Sequence, residues 1–136
     1  MKILKSSLII SAFSAIFLML ISCHDNSNKG NDFLVKVDSI RIPSVVNAGV
    51  SFDIDFFGTI GFDGCVGFKT FNRTIKGNEI TVETWGTFND FNGNCPDMLV
   101  VLDSQKLTMT IADPGTYKII VKEPGNYTLV KQIVVN

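Results

Sequence analysis

The sequence predicts an all-β domain, a sandwich of about seven strands, and three observations predict it. Between residues 33 and 136, apolar and polar residues alternate in several separate runs. No apolar stripe recurs at the 3.6-residue period of a helix. Turn-forming clusters of Gly, Pro, Asn and Asp divide the runs at the close spacing of a sandwich.

The strands are read in order. The first covers 34–42 and is closed by Pro43. The second covers 50–57, after Asn47-Ala48-Gly49. In it Phe52, Ile54 and Phe56 fall on one face and Asp53 and Asp55 on the other, the pattern of a half-buried strand. The third covers 65–73. Lys76-Gly77-Asn78 then turns the chain into the fourth, 79–88, where Ile80 and Val82 alternate with Thr81 and Glu83. Asn92-Gly93-Asn94 precedes the fifth, 99–111. Here Val100 and Leu102 stand at even positions but Leu107, Met109 and Ile111 at odd ones. A regular strand cannot turn both sets inward, so a bulge or break is expected within 103–106. Asp113-Pro114-Gly115 opens the sixth strand, 116–122. Glu123-Pro124-Gly125 leads into the seventh, 127–135.

Ahead of the domain, Lys2 and Lys5 precede an apolar run over 8–21. A cationic start and a run shorter than the roughly 20 residues of a spanning helix match a secretory leader. A retained membrane anchor is the rival reading. The run closes on Leu20-Ile21-Ser22-Cys23, which resembles the lipobox of bacterial lipoproteins. That resemblance implies cleavage after residue 22, a diacylglyceryl group and further palmitate-class acyl chain on Cys23, and residence in the bacterial cell envelope, with the outer membrane expected and the leaflet undecided. An ordinary leader with a chance cysteine is the alternative. Loss of residues 1–22 leaves 10 basic residues against 13 acidic, a net charge of −3. The apolar share falls to about 41%, near the lower side of globular chains. Residues 23–32 then form the lipidated cysteine and a polar tether, and 33–136 the domain. Every residue of 24–32 is polar or Gly, so a flexible coil of roughly 15–18 Å is expected there. His24 lies beside the lipid-bearing cysteine, a poor position for catalysis.

A domain of about 104 residues has the size of an immunoglobulin-like module. Pro114-Gly115-Thr116-Tyr117, nearly repeated by Pro124-Gly125-Asn126-Tyr127, resembles the P-G-x-Y start of a late strand in bacterial immunoglobulin-like and fibronectin-III-like domains. With the Ile-Pro at 42–43 and the two cysteine-bearing loops, the whole pattern resembles small immunoglobulin-like lipoproteins of Gram-negative bacteria. It implies a fold and a location and supplies no activity.

Cys65 and Cys95 are the pair left to the domain, and in an oxidising compartment such a pair reads as a disulfide. Both lie in Gly-rich segments, so a clamp between two loops at one end is expected. Free or metal-binding thiols are the alternative. The spacing lacks the C-x-x-C of redox catalysis.

Other chemistry is thin. Nucleic acid is not expected as a partner, since the chain has no clustered basic surplus. The one His lies outside the domain, leaving Ser or Cys without an imidazole base. Asp53 and Asp55 share a strand face about 7 Å apart, a spacing a carboxylate-dependent hydrolase uses, but the same alternation predicts a solvated outer face. Asp90-Phe91-Asn92-Gly93-Asn94 opens like a calcium loop, yet Cys95 and Val101 stand where an EF-hand needs Gly and Glu. A looser site with Asp97 competes with plain turn chemistry. No catalytic residue, metal or cofactor is assigned.

The unusual feature is the density of aromatic residues around the two cysteines. Phe57, Phe62, Phe68 and Phe71 flank Cys65; Trp85, Phe88 and Phe91 precede Cys95. Phe62, Trp85 and Phe91 are the candidate binding residues, because rings facing outward beside a clamp would make an apolar docking patch. Otherwise the rings cap the core. The expected function is a non-catalytic envelope module that binds or scaffolds, held to the membrane by its lipid, with a protein or glycan as ligand. An inhibitor or accessory subunit presenting the braced loop, and a hydrolase on the Asp53/Asp55 face, are the alternatives.

Overall fold

A computed structural model describes residues 31–89 and 93–136. The leader, Cys23, His24 and the tether to residue 30, and Asp90, Phe91 and Asn92 of the second cysteine loop, lie outside the described residues. Nine strands and one 3-10 turn follow: β1 (Asp32–Leu34), β2 (Lys36–Arg41), β3 (Val45–Val46), β4 (Ser51–Asp63), β5 (Val66–Lys76), β6 (Glu79–Phe88), β7 (Asp97–Thr110), β8 (Gly115–Lys122), the turn Pro124–Asn126, and β9 (Thr128–Val135). The domain is all-β, as the alternation requires.

The strands make two sheets. In the smaller, β4 lies between β2 and β7, antiparallel to both. In the larger, β5 pairs with the whole length of β6. The other edge of β6 is shared: β8 lies along Glu79–Glu83 and β1 along Trp85–Thr87, end to end. β9 and β3 continue the sheet. The pairs β6/β8 and β3/β9 are parallel. Ile54 and Phe56 of β4, Ile80 and Val82 of β6, Ile119 and Val121 of β8 and Ile133 of β9 are fully buried. Both sheets thus give their inward residues to one hydrophobic core.

The expected first strand corrects to two strands in different sheets. β1 pairs with β6, β2 pairs with β4, and the chain crosses at Val35, whose N–H donates to the Thr84 carbonyl at 2.8 Å. β2 carries an extra residue at Asp38 against Gly58–Phe57, which turns both Val37 and Ile40 inward. β1 also takes in Asp32, placed in the tether by its polarity. β4 runs on to Asp63, six residues past the expected end, and β3 was not foreseen.

The phase slip in β7 lies where the sequence requires it. Phe56 pairs with Gln105 and Gly58 with Leu102, so Asp103 and Ser104 together oppose Phe57. Ser104 absorbs the extra residue at φ 58. Leu102 and Met109 consequently both reach the core.

Thr84 is a polar exception in that core. It is fully buried, and its Oγ1 has no hydrogen-bond partner among the described residues. A buried hydroxyl without a partner carries its desolvation cost uncompensated. Thr84→Val keeps the branched shape and removes the hydroxyl, so it is expected to raise the unfolding free energy by about 1 kcal/mol in a denaturant titration. A lower midpoint would show that the hydroxyl has a partner after all.

Candidate binding surface at the disulfide end

β4 and β5 meet at a corner, Gly64-Cys65, where the chain passes from one sheet to the other. Asp63 shapes this corner by accepting the Cys65 N–H at 2.8 Å. The segment 94–96 is bound against it. Cys65 and Cys95 are disulfide-bonded with Cα atoms 5.3 Å apart, and the Gly64 N–H donates to the Pro96 carbonyl at 2.8 Å. A side chain at Gly64 would lie 2.6 Å from Pro96 Cγ, so only Gly permits this approach. The Asn89 N–H donates to the Cys65 carbonyl, fixing the end of β6 to the same corner. The expected clamp between two loops is therefore present at one end of the domain.

The rings around it divide. Phe71 packs on Phe56 at a centroid distance of 4.6 Å and on Phe68 at 4.8 Å, so these close the core rather than face outward. Phe57 lies on the outer face of the smaller sheet, with the Arg41 guanidinium 5.3 Å over its ring. Phe62 is 76% exposed, as expected of a binding residue. Trp85 is half-buried on the outer face of the larger sheet, because it alternates with the buried Val82 and Thr84 side. Its indole N–H donates to Glu83 at 3.3 Å. Phe62 and Trp85 thus lie on different faces and do not form one site. Phe91 lies outside the described residues.

What accompanies Phe62 was missed from sequence. Gly61 pairs with Val100 and Asp63 with Asp97, so Phe62 stands opposite both Met98 and Leu99. Those two are 52% and 56% exposed. The signal was available: five consecutive apolar residues, 98–102, cannot all turn inward in a period-2 strand. Phe62, Met98 and Leu99 form an exposed apolar tip beside the disulfide.

The other candidate chemistries find different surroundings. Asp53 accepts from Thr108 Oγ1 at 2.6 Å and from Lys106 Nζ at 3.0 Å. Asp55 accepts from Arg41, with Nη2 2.9 Å and Nε 3.0 Å from one carboxylate oxygen. Its other oxygen has no hydrogen bond among the described residues, and Lys106 Nζ lies 3.9 Å away. The two carboxylates on this outer face are thus neutralised by two cations. Asp63 lies within ligating range of the cysteine sulfurs, but sulfurs bonded to each other offer no thiolate to a metal.

Hydrogen bonding from Thr108, reinforced by Lys106, holds the Asp53 carboxyl below its ordinary 3.8, and Lys69 does the same for Asp32. Asp53 in turn holds Lys106 above its ordinary 10.5. A carboxyl lowered by folding stabilises the fold above its unfolded value and loses that contribution as pH falls through the folded one. A raised ammonium does so in reverse, losing its contribution as pH rises through the folded value. The melting temperature is expected to be level between about pH 5 and 9 and to fall modestly outside that range, since all three groups are exposed. A melt that drops steeply within the range would point to a buried titrating group instead.

No protein-family model, curated protein or solved structure matches the chain.

Proposed function

We propose that this chain is a lipid-anchored module of the bacterial cell envelope that binds or scaffolds without catalysis. Cys23 carries the acyl chains, residues 1–22 are removed, and the two sheets form an immunoglobulin-like sandwich in which the parallel pair β6/β8 departs from the antiparallel sheets usual in that fold. The observation that carries the binding half of this reading is the tip: three large apolar side chains exposed together and braced by a disulfide and backbone hydrogen bonds. A rigid, clustered apolar surface is the type of patch that marks an interaction site. The engagement of Asp53 and Asp55 by Lys106 and Arg41 supports a structural role for that face.

Two measurements test the reading. Intact mass of the native protein is expected to show residues 23–136 with an acylated Cys23; an unmodified amino terminus at residue 23 or a retained leader would refute the anchor. Phe62→Ala is expected to leave stability within about 0.5 kcal/mol of wild type, as for other exposed positions. A much larger loss would place the ring in the core and remove the patch.

A further inference from the structure

The apolar tip and the point where the chain enters the domain lie at the same end. The Asn31 carbonyl accepts the Phe88 N–H, and the next residue, Asn89, donates to the Cys65 carbonyl. Asp32 pairs with Thr87 and is held by the Lys69 ammonium. The disulfide corner and residue 31 are therefore joined through Phe88, the last residue of β6, and Asn89, which follows it. The opposite end holds the β5–β6 turn at Gly77-Asn78, the start of β4 and the C-terminus.

We infer that the occupant of the tip is the lipid bilayer, with Phe62, Met98 and Leu99 seated in its interfacial layer. The inference rests on acylation of Cys23. Eight Cα–Cα steps separate Cys23 from Asn31, and a fully extended chain of that length reaches at most about 28 Å. The anchor thus holds the Asn31 end close to the membrane and leaves the opposite end to face away. The three exposed side chains at the near end are a ring, a thioether and a branched alkyl, which leave water for the headgroup–acyl boundary favourably. A second lipid-facing element beside the acyl chains converts a tethered domain into an oriented one, because a lipid chain and a protein contact act as two signals. The tip's neighbours Asp63 and Asp97 are acidic, so the matching surface is zwitterionic rather than anionic.

The test uses the full lipidated protein reconstituted in phosphatidylcholine vesicles, with and without chain-brominated lipid. An indole reporter is introduced by Phe62→Trp on a Trp85→Phe background, and in a second variant by Val50→Trp, an exposed position at the opposite end. Circular dichroism confirms the fold of both. The expected result is short-wavelength emission quenched by bromine for the reporter at position 62, and long-wavelength, unquenched emission at position 50. Equal behaviour of the two reporters, quenched or not, overturns the docking. Intact mass of the same samples decides the anchor separately. Acylated Cys23 with an unquenched position 62 leaves the anchor standing and refutes the docked tip. Quenching confined to position 62 without acylation supports the docked tip and refutes the anchor.

Discussion

Replacing Cys65 and Cys95 together by Ala is expected to lower the unfolding free energy by about 3.7 kcal/mol, the loop-closure value for 31 residues. For a domain of about 100 residues that corresponds to a melting temperature lower by roughly 15–20 °C. The loss arises mainly in the unfolded chain. The folded corner keeps the Gly64–Pro96 and Asn89–Cys65 backbone hydrogen bonds, so the native geometry survives without the covalent link. The unfolded ensemble, in contrast, regains the conformations that the closed loop forbids. Reductant on the wild type is the matching arm, because it opens the loop but leaves both sulfurs in place. Cys65 is buried, so a drop larger in the Ala variant than in reductant would measure the packing of its sulfur separately. An unchanged melt in reductant would contradict the stabilising role of the bond. At this magnitude the bond supplies a large part of the 5–15 kcal/mol that keeps a small domain folded.

The legible parts of this fold are those fixed by short-range pattern. Phe52, Ile54 and Phe56 face the core because a strand has a period of two. The conflict between Leu102 and Leu107 placed a bulge within 103–106 for the same reason, and it falls at Asp103–Ser104. The pairing of Cys65 with Cys95 followed from there being two cysteines in the domain. What escaped depends on long-range partners. Nothing local marks Val35 as the crossing between sheets, since Val35 and Val37 keep one phase while the hydrogen bonds change from β6 to β2's neighbour β4. The length of β4 escaped because the alternation of Phe52, Ile54 and Phe56 gives way to Gly58 and Gly61, which have no side chain to continue it, although both lie inside the strand. The binding surface was half visible: Phe62 stood out as a ring beside a clamped cysteine, while Leu99 was absorbed into the expected strand 99–111 and Met98 was left just ahead of it, in a run of apolar residues that exceeds what one face can bury. Trp85 was grouped with Phe62 by proximity in sequence to the cysteines, but β6 turns it to the opposite layer's outer face.

Gly58→Ala is expected to destabilise the domain by about 3 kcal/mol, the upper end of the cost of overpacking. Gly58 faces inward from β4, directly under the bulge in β2. A β-carbon there would lie 2.3 Å from the Lys36 carbonyl oxygen, 3.1 Å from Val37 Cα and 3.2 Å from the Asp38 nitrogen. All three are backbone atoms, so no side-chain rotation relieves the clash. Relief requires β2 to move away from β4, and that displaces Val37 and Ile40, the two residues the bulge turns into the core. A glycine inside a strand commonly marks a bulge or a close approach of another backbone, and both meet here. Gly67→Ala is the matched control, in the other sheet, with nothing among the described residues within 4 Å of the added carbon. It is expected to be neutral or slightly stabilising, because Ala narrows the unfolded ensemble where space allows. Urea midpoints for the two variants separate the causes. A large loss at both positions would indicate a general intolerance of strand glycines. A loss confined to position 58 identifies the close approach of β2 and β4 as the constraint, and shows that the bulge at Asp38 is held in place by the missing side chain across from it.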